Sequence, residues 1–143
     1  MQSSSENIFE LKVKSSTHYL GEIREFIQAA ALENNIPEKI IADVILSVDE
    51  ACTNIIKHAY HSNPQNDFII KLFFSKNEIK IVLVDYGDSF NLNAIESPNM
   101  EIYFKQKRVG GLGLYLIRSL MDEVKYKSIK GEYNELILAK KLN

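Results

Sequence analysis

The sequence predicts an α/β domain: a two-layer sandwich with a mostly antiparallel mixed sheet and about three helices on one face. Three observations predict it. Apolar residues recur at helical spacing over two stretches, 20–31 and 37–60. Two pairs of strand-like runs, each joined by a short turn, read as hairpins. Between the hairpins, a glycine cluster opens a third helical stretch that ends near Met121. The chain has 143 residues, about one domain length. That is enough to bury a core without metal or disulfide staples. We expect 1–143 to form a single domain, with the polar residues 1–6 disordered.

The elements follow in order. Ile8, Leu11 and Val13 lie in a β-like run from Asn7 to Lys14. Ser15 or Ser16 can then cap a helix, whose inner face is Leu20, Ile23, Phe26, Ile27, Ala30 and Ala31. Asn34-Asn35 stops it. Pro37 suits the first turn of a second helix, expected to run to about Tyr60. His61 to Asn66 is a turn. The first hairpin pairs Phe68 to Phe74 with Glu78 to Val84 across Ser75-Lys76-Asn77. From Asp85 to Val109 the periodicity is lost, and a loop this long in a compact domain is usually functional. The second hairpin pairs Val124 to Ile129 with Asn134 to Lys140 across Lys130-Gly131.

Composition narrows the class. Hydrophobic residues make up 45% and charged residues 25%, the balance of a soluble globular domain. A net charge of −2 argues against a general nucleic-acid binder. The charge is uneven: residues 1–103 hold 8 basic and 15 acidic side chains, and residues 104–143 hold 9 and 4. Basic charge gathered near the glycines points to a local anion site. The single cysteine allows no intrachain disulfide and fits a reducing compartment. No apolar run approaches the roughly 20 residues of a membrane span. Met1 to Glu6 has neither a basic nor an apolar signal region. The expectation is a cytoplasmic protein that uses no membrane.

Three places can carry chemistry. On the second helix, Asp43, Ser47, Glu50, Asn54, His58 and His61 fall within about an 80° sector. Glu50 and Asn54 are four apart and can reach one point above the helix. A carboxylate beside a neutral amide suits a general base next to a ligand for a hard cation such as Mg²⁺. A surface stripe with an incidental pair is an equal reading. Cys52 lies opposite and reads as a small buried hydrophobe. His58 and His61 lack a third ligand for zinc.

The second place is Asp85-Tyr86-Gly87-Asp88, which ends an apolar strand. Such an Asp can accept from an exocyclic amine such as that of adenine, and Gly87 would let a flat base approach the backbone. Alone, an Asx turn ending a strand is the simpler reading. The third is Gly110-Gly111-Leu112-Gly113, preceded by Lys105, Lys107 and Arg108. Glycines opening a helix expose N–H groups to an anion. The spacing fits neither a Walker loop nor the dinucleotide fingerprint, and a flexible hinge is the alternative.

Taken in order, these motifs resemble the histidine-kinase-like ATP-binding superfamily, shared by gyrase, heat-shock chaperones, histidine kinases and mismatch-repair proteins. Val48-Asp49-Glu50-Ala51-Cys52-Thr53-Asn54 with His58-Ala59-Tyr60, Asp85 to Phe90, Gly110 to Leu116 and Leu120 to Val124 are most similar to the anti-sigma-factor serine/threonine kinases of bacterial stress and sporulation control. The resemblance spans about residues 8–141. It implies ATP and Mg²⁺ as cofactors, with Asn54 as metal ligand, Glu50 as catalytic base, Asp85 and Gly87 at adenine, and residues 88–109 as a lid. It implies phosphate binding by Gly110, Gly111 and Gly113, and a γ-phosphate contact from Lys107 or Arg108. Relatives carry an arginine directly before the glycines, where this chain has Val109. Many carry a Thr on the last strand near the phosphates, where this chain has Asn134. The implied function is phosphorylation of an anti-sigma-factor antagonist, with a sigma factor as the other partner and a possible homodimer. The alternative is a binding module for a sigma factor or other regulator, with ATP as a structural ligand.

Overall fold

The computed structural model describes residues 7–89 and 114–142. Its five strands are β1 (Asn7–Lys14), β2 (Asp67–Phe74), β3 (Glu78–Asp85), β4 (Glu123–Ile129) and β5 (Tyr133–Lys141). They form one sheet in the order β1-β2-β3-β5-β4, and every neighbouring pair is antiparallel. Among the described residues the helices α1 (Leu20–Glu33), α2 (Glu38–Asn54) and α3 (Leu114–Leu120) form the second layer, with α2 packed between α1 and α3. The two hairpins expected from the sequence are both present, and Gly131 takes the left-handed conformation in the second (φ 80°).

Strand alternation decides which face the helices cover. Phe68, Ile70, Leu72 and Phe74 are the buried set of β2, and Ile79, Ile81 and Leu83 the matching set of β3. They join Ile23, Ile27, Val44, Val48, Ile55 and Ile117 in one core between the layers. Side chains at i and i+2 share a sheet face, so Ile69, Lys71 and Phe73 point away from the helices. The edge strands carry Lys12 and Lys14 on β1 and Lys125 and Lys127 on β4, charges that discourage edge-to-edge pairing.

Each helix boundary has a local cause. Ser16 accepts a hydrogen bond from the His18 N–H (3.2 Å) and starts a short 3₁₀ turn, Thr17–Tyr19, that leads into α1. At the other end Asn35 is left-handed (φ 59°), and the Ile36 N–H returns to the Ala31 carbonyl at 3.0 Å. Pro37, extended and just outside, opens α2.

The end of α2 differs from expectation. The α-helix stops at Asn54, and Ile55–Ala59 form a π turn, with the Tyr60 N–H bonded to the Ile55 carbonyl at 3.1 Å. His61 and Ser62 are then left-handed (φ 49° and 63°). The helix ends before His61, which stands in this left-handed turn, so His61 does not belong to the helical face of Glu50 and Asn54. No described helix is long and apolar enough to cross a membrane.

Candidate functional site

The polar stripe of α2 is largely buried, which rules out an ordinary solvated face. Asp43, Ser47 and Asn54 are buried, and Glu50 is half-buried. Asp43 is structural: Lys39 bonds it at 3.0 and 3.1 Å, and Lys140 of β5 comes within 3.4 Å. Lys140 also donates to the Leu120 carbonyl at 2.6 Å, so it ties β5 to both α2 and the end of α3. Asn54 is different. It is 5% exposed, yet its Nδ2 has no hydrogen-bond partner among the described residues. A buried amide left unpaired is costly unless something else satisfies it. Ser47 Oγ, on the same stripe, is likewise buried without a partner among the described residues.

The π turn carries α2 from Asn54 to the Asp85 turn. The Asp88 N–H donates to the Ala59 carbonyl at 2.9 Å. A Cβ on Gly87 would stand 2.3 Å from that same carbonyl oxygen, so only glycine fits there. The sequence assigns Gly87 to leave room for a base; in the structure that room is taken by the Ala59 carbonyl and the Tyr60 ring. Tyr60 adds a second clamp. Its hydroxyl donates to the Asp67 carbonyl (2.6 Å) and accepts from the Tyr86 N–H (2.7 Å). Burial pushes the Tyr60 phenol above its usual range, so it stays protonated for this task.

Asp85 ends β3 and is 2% exposed. Its Oδ1 accepts from the Gly87 N–H (3.0 Å) and from Asn134 Nδ2 (2.8 Å). Its Oδ2 has no partner among the described residues. Burial pushes the carboxyl above its ordinary range, and the two N–H donors oppose that shift. The Asx turn weighed from the sequence is present, and it sets one oxygen while leaving the other open.

Next to this turn, a cleft of about 990 Å³ opens between the end of the π turn and the β4–β5 turn. Tyr60, Gly87 and Asn134 form its inner wall, and Tyr86, Lys130 and Tyr133 its outer part. Glu50 and Asn54 do not line it. At its mouth His61 Nε2 pairs with Asp88 Oδ2 at 2.7 Å.

Cys52 is fully buried and burial pushes its thiol well above the usual range, so it is an inert core residue as the sequence suggests. No group of three metal-ligating side chains occurs among the described residues. Lys107, Arg108, Gly110, Gly111 and Gly113 lie outside the described residues, as does the assigned lid beyond Ser89. Three participants have no role in the sequence reading: Tyr60 and the Ala59 carbonyl, which it quotes only as part of a motif, and Ser128. Ser128 could have been found from the second hairpin, whose register sets it opposite Asn134.

Comparison with known proteins agrees with this geometry. Residues 13–140 match the histidine kinase-like ATPase domain family. The Serine-protein kinase RsbW of Staphylococcus aureus is 40% identical over 129 residues, covering 85% of this chain and 79% of the relative. Its namesake from Oceanobacillus iheyensis is 32% identical over 142 residues, covering 96% and 88%. That of Bacillus velezensis is 30% identical over 135 residues, covering 90% and 83%. Among solved structures, the RsbU and RsbW domains of a Mycobacterium tuberculosis protein superpose with a TM-score of 0.69 at 12% identity, over 95% of this chain and 32% of that one. The SiaB–SiaC complex from Pseudomonas aeruginosa gives 0.65 at 13% identity, over 92% and 88%. The fold thus coincides with close sequence kinship, and the chain belongs to the histidine kinase-like ATPase domain family, in the branch of the RsbW serine-protein kinases.

Proposed function

We propose that the chain is an anti-sigma factor with Mg-ATP-dependent serine/threonine-protein kinase activity, and that its substrate is an anti-sigma-factor antagonist. The observation that carries this is the joining of two ligand-ready groups by one π turn. A buried amide (Asn54) and a buried carboxylate oxygen (Asp85 Oδ2), both without a partner among the described residues, sit at the two ends of a clamped segment. Such a pair fits a ligand that brings phosphate and a hard cation to one end and an amine donor to the other.

Mg-ATP, when bound, supplies the transferable phosphoryl group. Asn54 would hold Mg²⁺ through its Oδ1 and give its orphaned Nδ2 to an oxygen of the same ligand. Asp85 would accept from the exocyclic amine, over the floor formed by Gly87. Glu50, one turn before Asn54 and half-buried, would take the proton from the incoming Ser or Thr hydroxyl. Phosphoryl transfer depends mainly on positioning and charge stabilisation, which suits a site with one base and few other reactive groups. Gly110, Gly111 and Gly113 are assigned to phosphate, Arg108 or Lys107 to the γ-phosphate, and 88–109 to the lid.

Phosphorylation of the antagonist would weaken its hold on the kinase and leave the kinase free to bind the sigma factor, in a cytoplasmic switch. A homodimer belongs to the same proposal. The sheet face away from the helices offers Phe73, Val82 and Ile137 around a depression of about 280 Å³ for it.

The test is transfer itself. Proteins captured on this chain from its native cell are incubated with it, Mg²⁺ and γ-labelled ATP. Label on a Ser or Thr of one captured partner is the expected result. Sigma-factor capture with no transfer to any partner would leave a binding module in place of a kinase.

A further inference from the structure

Cross-strand register aligns Ser128 of β4, Asn134 of β5, Asp85 of β3 and Phe68 of β2 in one row. Asn134 is 3% exposed. Its amide is used to capacity as a donor: Nδ2 reaches Asp85 Oδ1 at 2.8 Å and the Gly87 carbonyl at 2.9 Å. Its Oδ1 accepts from the Ser128 hydroxyl at 2.6 Å. Two acceptors on one side fix which end of the amide faces them, since the reversed amide would set oxygen against oxygen. With both N–H groups committed to the protein, Asn134 donates to no ligand. Its effect passes through Asp85 and the Gly87 backbone.

We propose that Asn134, oriented by Ser128, is a positioning residue for base recognition: it occupies Asp85 Oδ1, anchors the Gly87 carbonyl, and so presents Asp85 Oδ2 as an acceptor for the exocyclic amine of adenine. The inference rests on the assignment of Asp85 to adenine made above. Its physical basis is that a carboxylate this buried stays an acceptor only if donors stabilise its charge. Gly87 N–H supplies one donor and Asn134 the other. Without Asn134 the carboxyl takes a proton more readily. A neutral carboxyl can donate to the six-position carbonyl of guanine, so selectivity between bases would blur.

The experiment is calorimetric titration of Mg-ATP and Mg-GTP into the wild type, Asp85→Asn, Asn134→Leu and Ser128→Ala, with transfer kinetics at saturating ATP. The wild type should prefer ATP. Asn134→Leu should lose about tenfold in ATP affinity, the usual worth of a hydrogen bond to a charged group. Its ATP-over-GTP ratio should shrink, while kcat at saturation stays within about twofold, because the transfer machinery is elsewhere. Ser128→Ala should move the ratio the same way by about threefold, in the range of a lost neutral hydrogen bond. Ser128 lies on the exposed edge strand, so it decides the matter alone if Asn134→Leu does not fold. A merely structural role would weaken both nucleotides equally and leave the ratio unchanged, and that result overturns the proposal. If Asp85→Asn loses the preference while both other variants keep it, Asp85 reads the base and Asn134 does not. If Asp85→Asn keeps it, the base assignment falls and the inference with it.

Discussion

The carbonyl of Ala59 fills the space that a side chain on Gly87 would need: an added Cβ would lie 2.3 Å from its oxygen and 2.7 Å from its carbon. The last turn after α2 and the turn after β3 are therefore locked by backbone contact, reinforced by the Asp88 N–H bond to the same carbonyl.

Gly87→Ala should be among the most damaging small substitutions in the chain. The clash is with backbone, so no rotamer change relieves it. We expect a loss of about 1–3 kcal/mol in stability, the usual cost of overpacking, together with loss of nucleotide binding as the Asp85 turn shifts. Urea unfolding and ATP titration check both. An unchanged midpoint would mean that the two turns can part freely.

Tyr60→Phe keeps the ring and removes the hydroxyl that bridges the Asp67 carbonyl and the Tyr86 N–H. Both backbone groups then lack their partner. Each lost bond is worth about 0.5–1.5 kcal/mol, and an unsatisfied buried group costs more. The urea midpoint should fall with the slope unchanged, and ATP should bind more weakly because the Asp85 turn loses one of its clamps. A variant with wild-type stability and affinity would show that Tyr60 serves packing alone.

Much of this was open to reading in the sequence. Phe68 to Phe74 alternates by twos and is followed by a short turn, so the β2–β3 hairpin is written locally. Glu50 and Asn54 can be placed on one helical face by counting. The π turn could not be read, because Ile55 to Ala59 continues the apolar period of an α-helix, and its contact with Gly87 joins residues far apart in the chain. The Tyr60 clamp and the Asn134 bridge join residues 26 and 49 positions apart, distances over which no periodicity speaks. Asn134 stood out only as a departure from the family's usual Thr. Its role needed the register of three strands.

Asp85→Asn separates stability from binding. Burial raises the Asp85 carboxyl above its ordinary range, so the folded protein holds this proton more tightly than the unfolded chain does. Stability from this group is present at low pH and is lost as pH rises from the ordinary carboxylate range through the raised value. At neutral pH the wild type carries the cost of a buried charge. The Asn side chain can accept the same two N–H bonds without that charge. The variant without nucleotide should melt higher than the wild type at pH 7, and the gap should close as pH falls into the ordinary carboxylate range. ATP binding should weaken at the same time, because an amide that keeps those two bonds through its oxygen turns its NH₂, a donor, toward the exocyclic amine. Thermal melts of both proteins from pH 4 to pH 8 test this, within the span where carboxylates titrate. A wild type that melts higher than the variant at pH 7 would mean that Asp85 is not strained by burial.

Glu50 and Asn54 share a helix face one turn apart, yet they should fail differently. Asn54 is assigned to the cation and phosphates, and its Nδ2 is buried and unpartnered among the described residues. Asn54→Ala should therefore weaken Mg-ATP binding and phosphoryl transfer together. It should cost little stability without nucleotide, since the lost amide bonded to nothing at its Nδ2. Glu50 is assigned to the incoming hydroxyl, which is absent when only nucleotide is bound. Glu50→Gln keeps the shape and removes the base. Nucleotide affinity should survive while transfer falls by about 10²–10⁴-fold, the usual worth of a positioned general base. A loose transition state asks less of the base, so the lower end of that range is expected. Sigma-factor binding should survive as well, giving a protein that still captures its target but no longer phosphorylates the antagonist. Labelled phosphate on the partner, measured beside an ATP titration, separates these outcomes. Transfer by Glu50→Gln at the wild-type rate would remove Glu50 from the chemistry. Joint loss of binding and transfer in that variant would move it to the nucleotide side with Asn54.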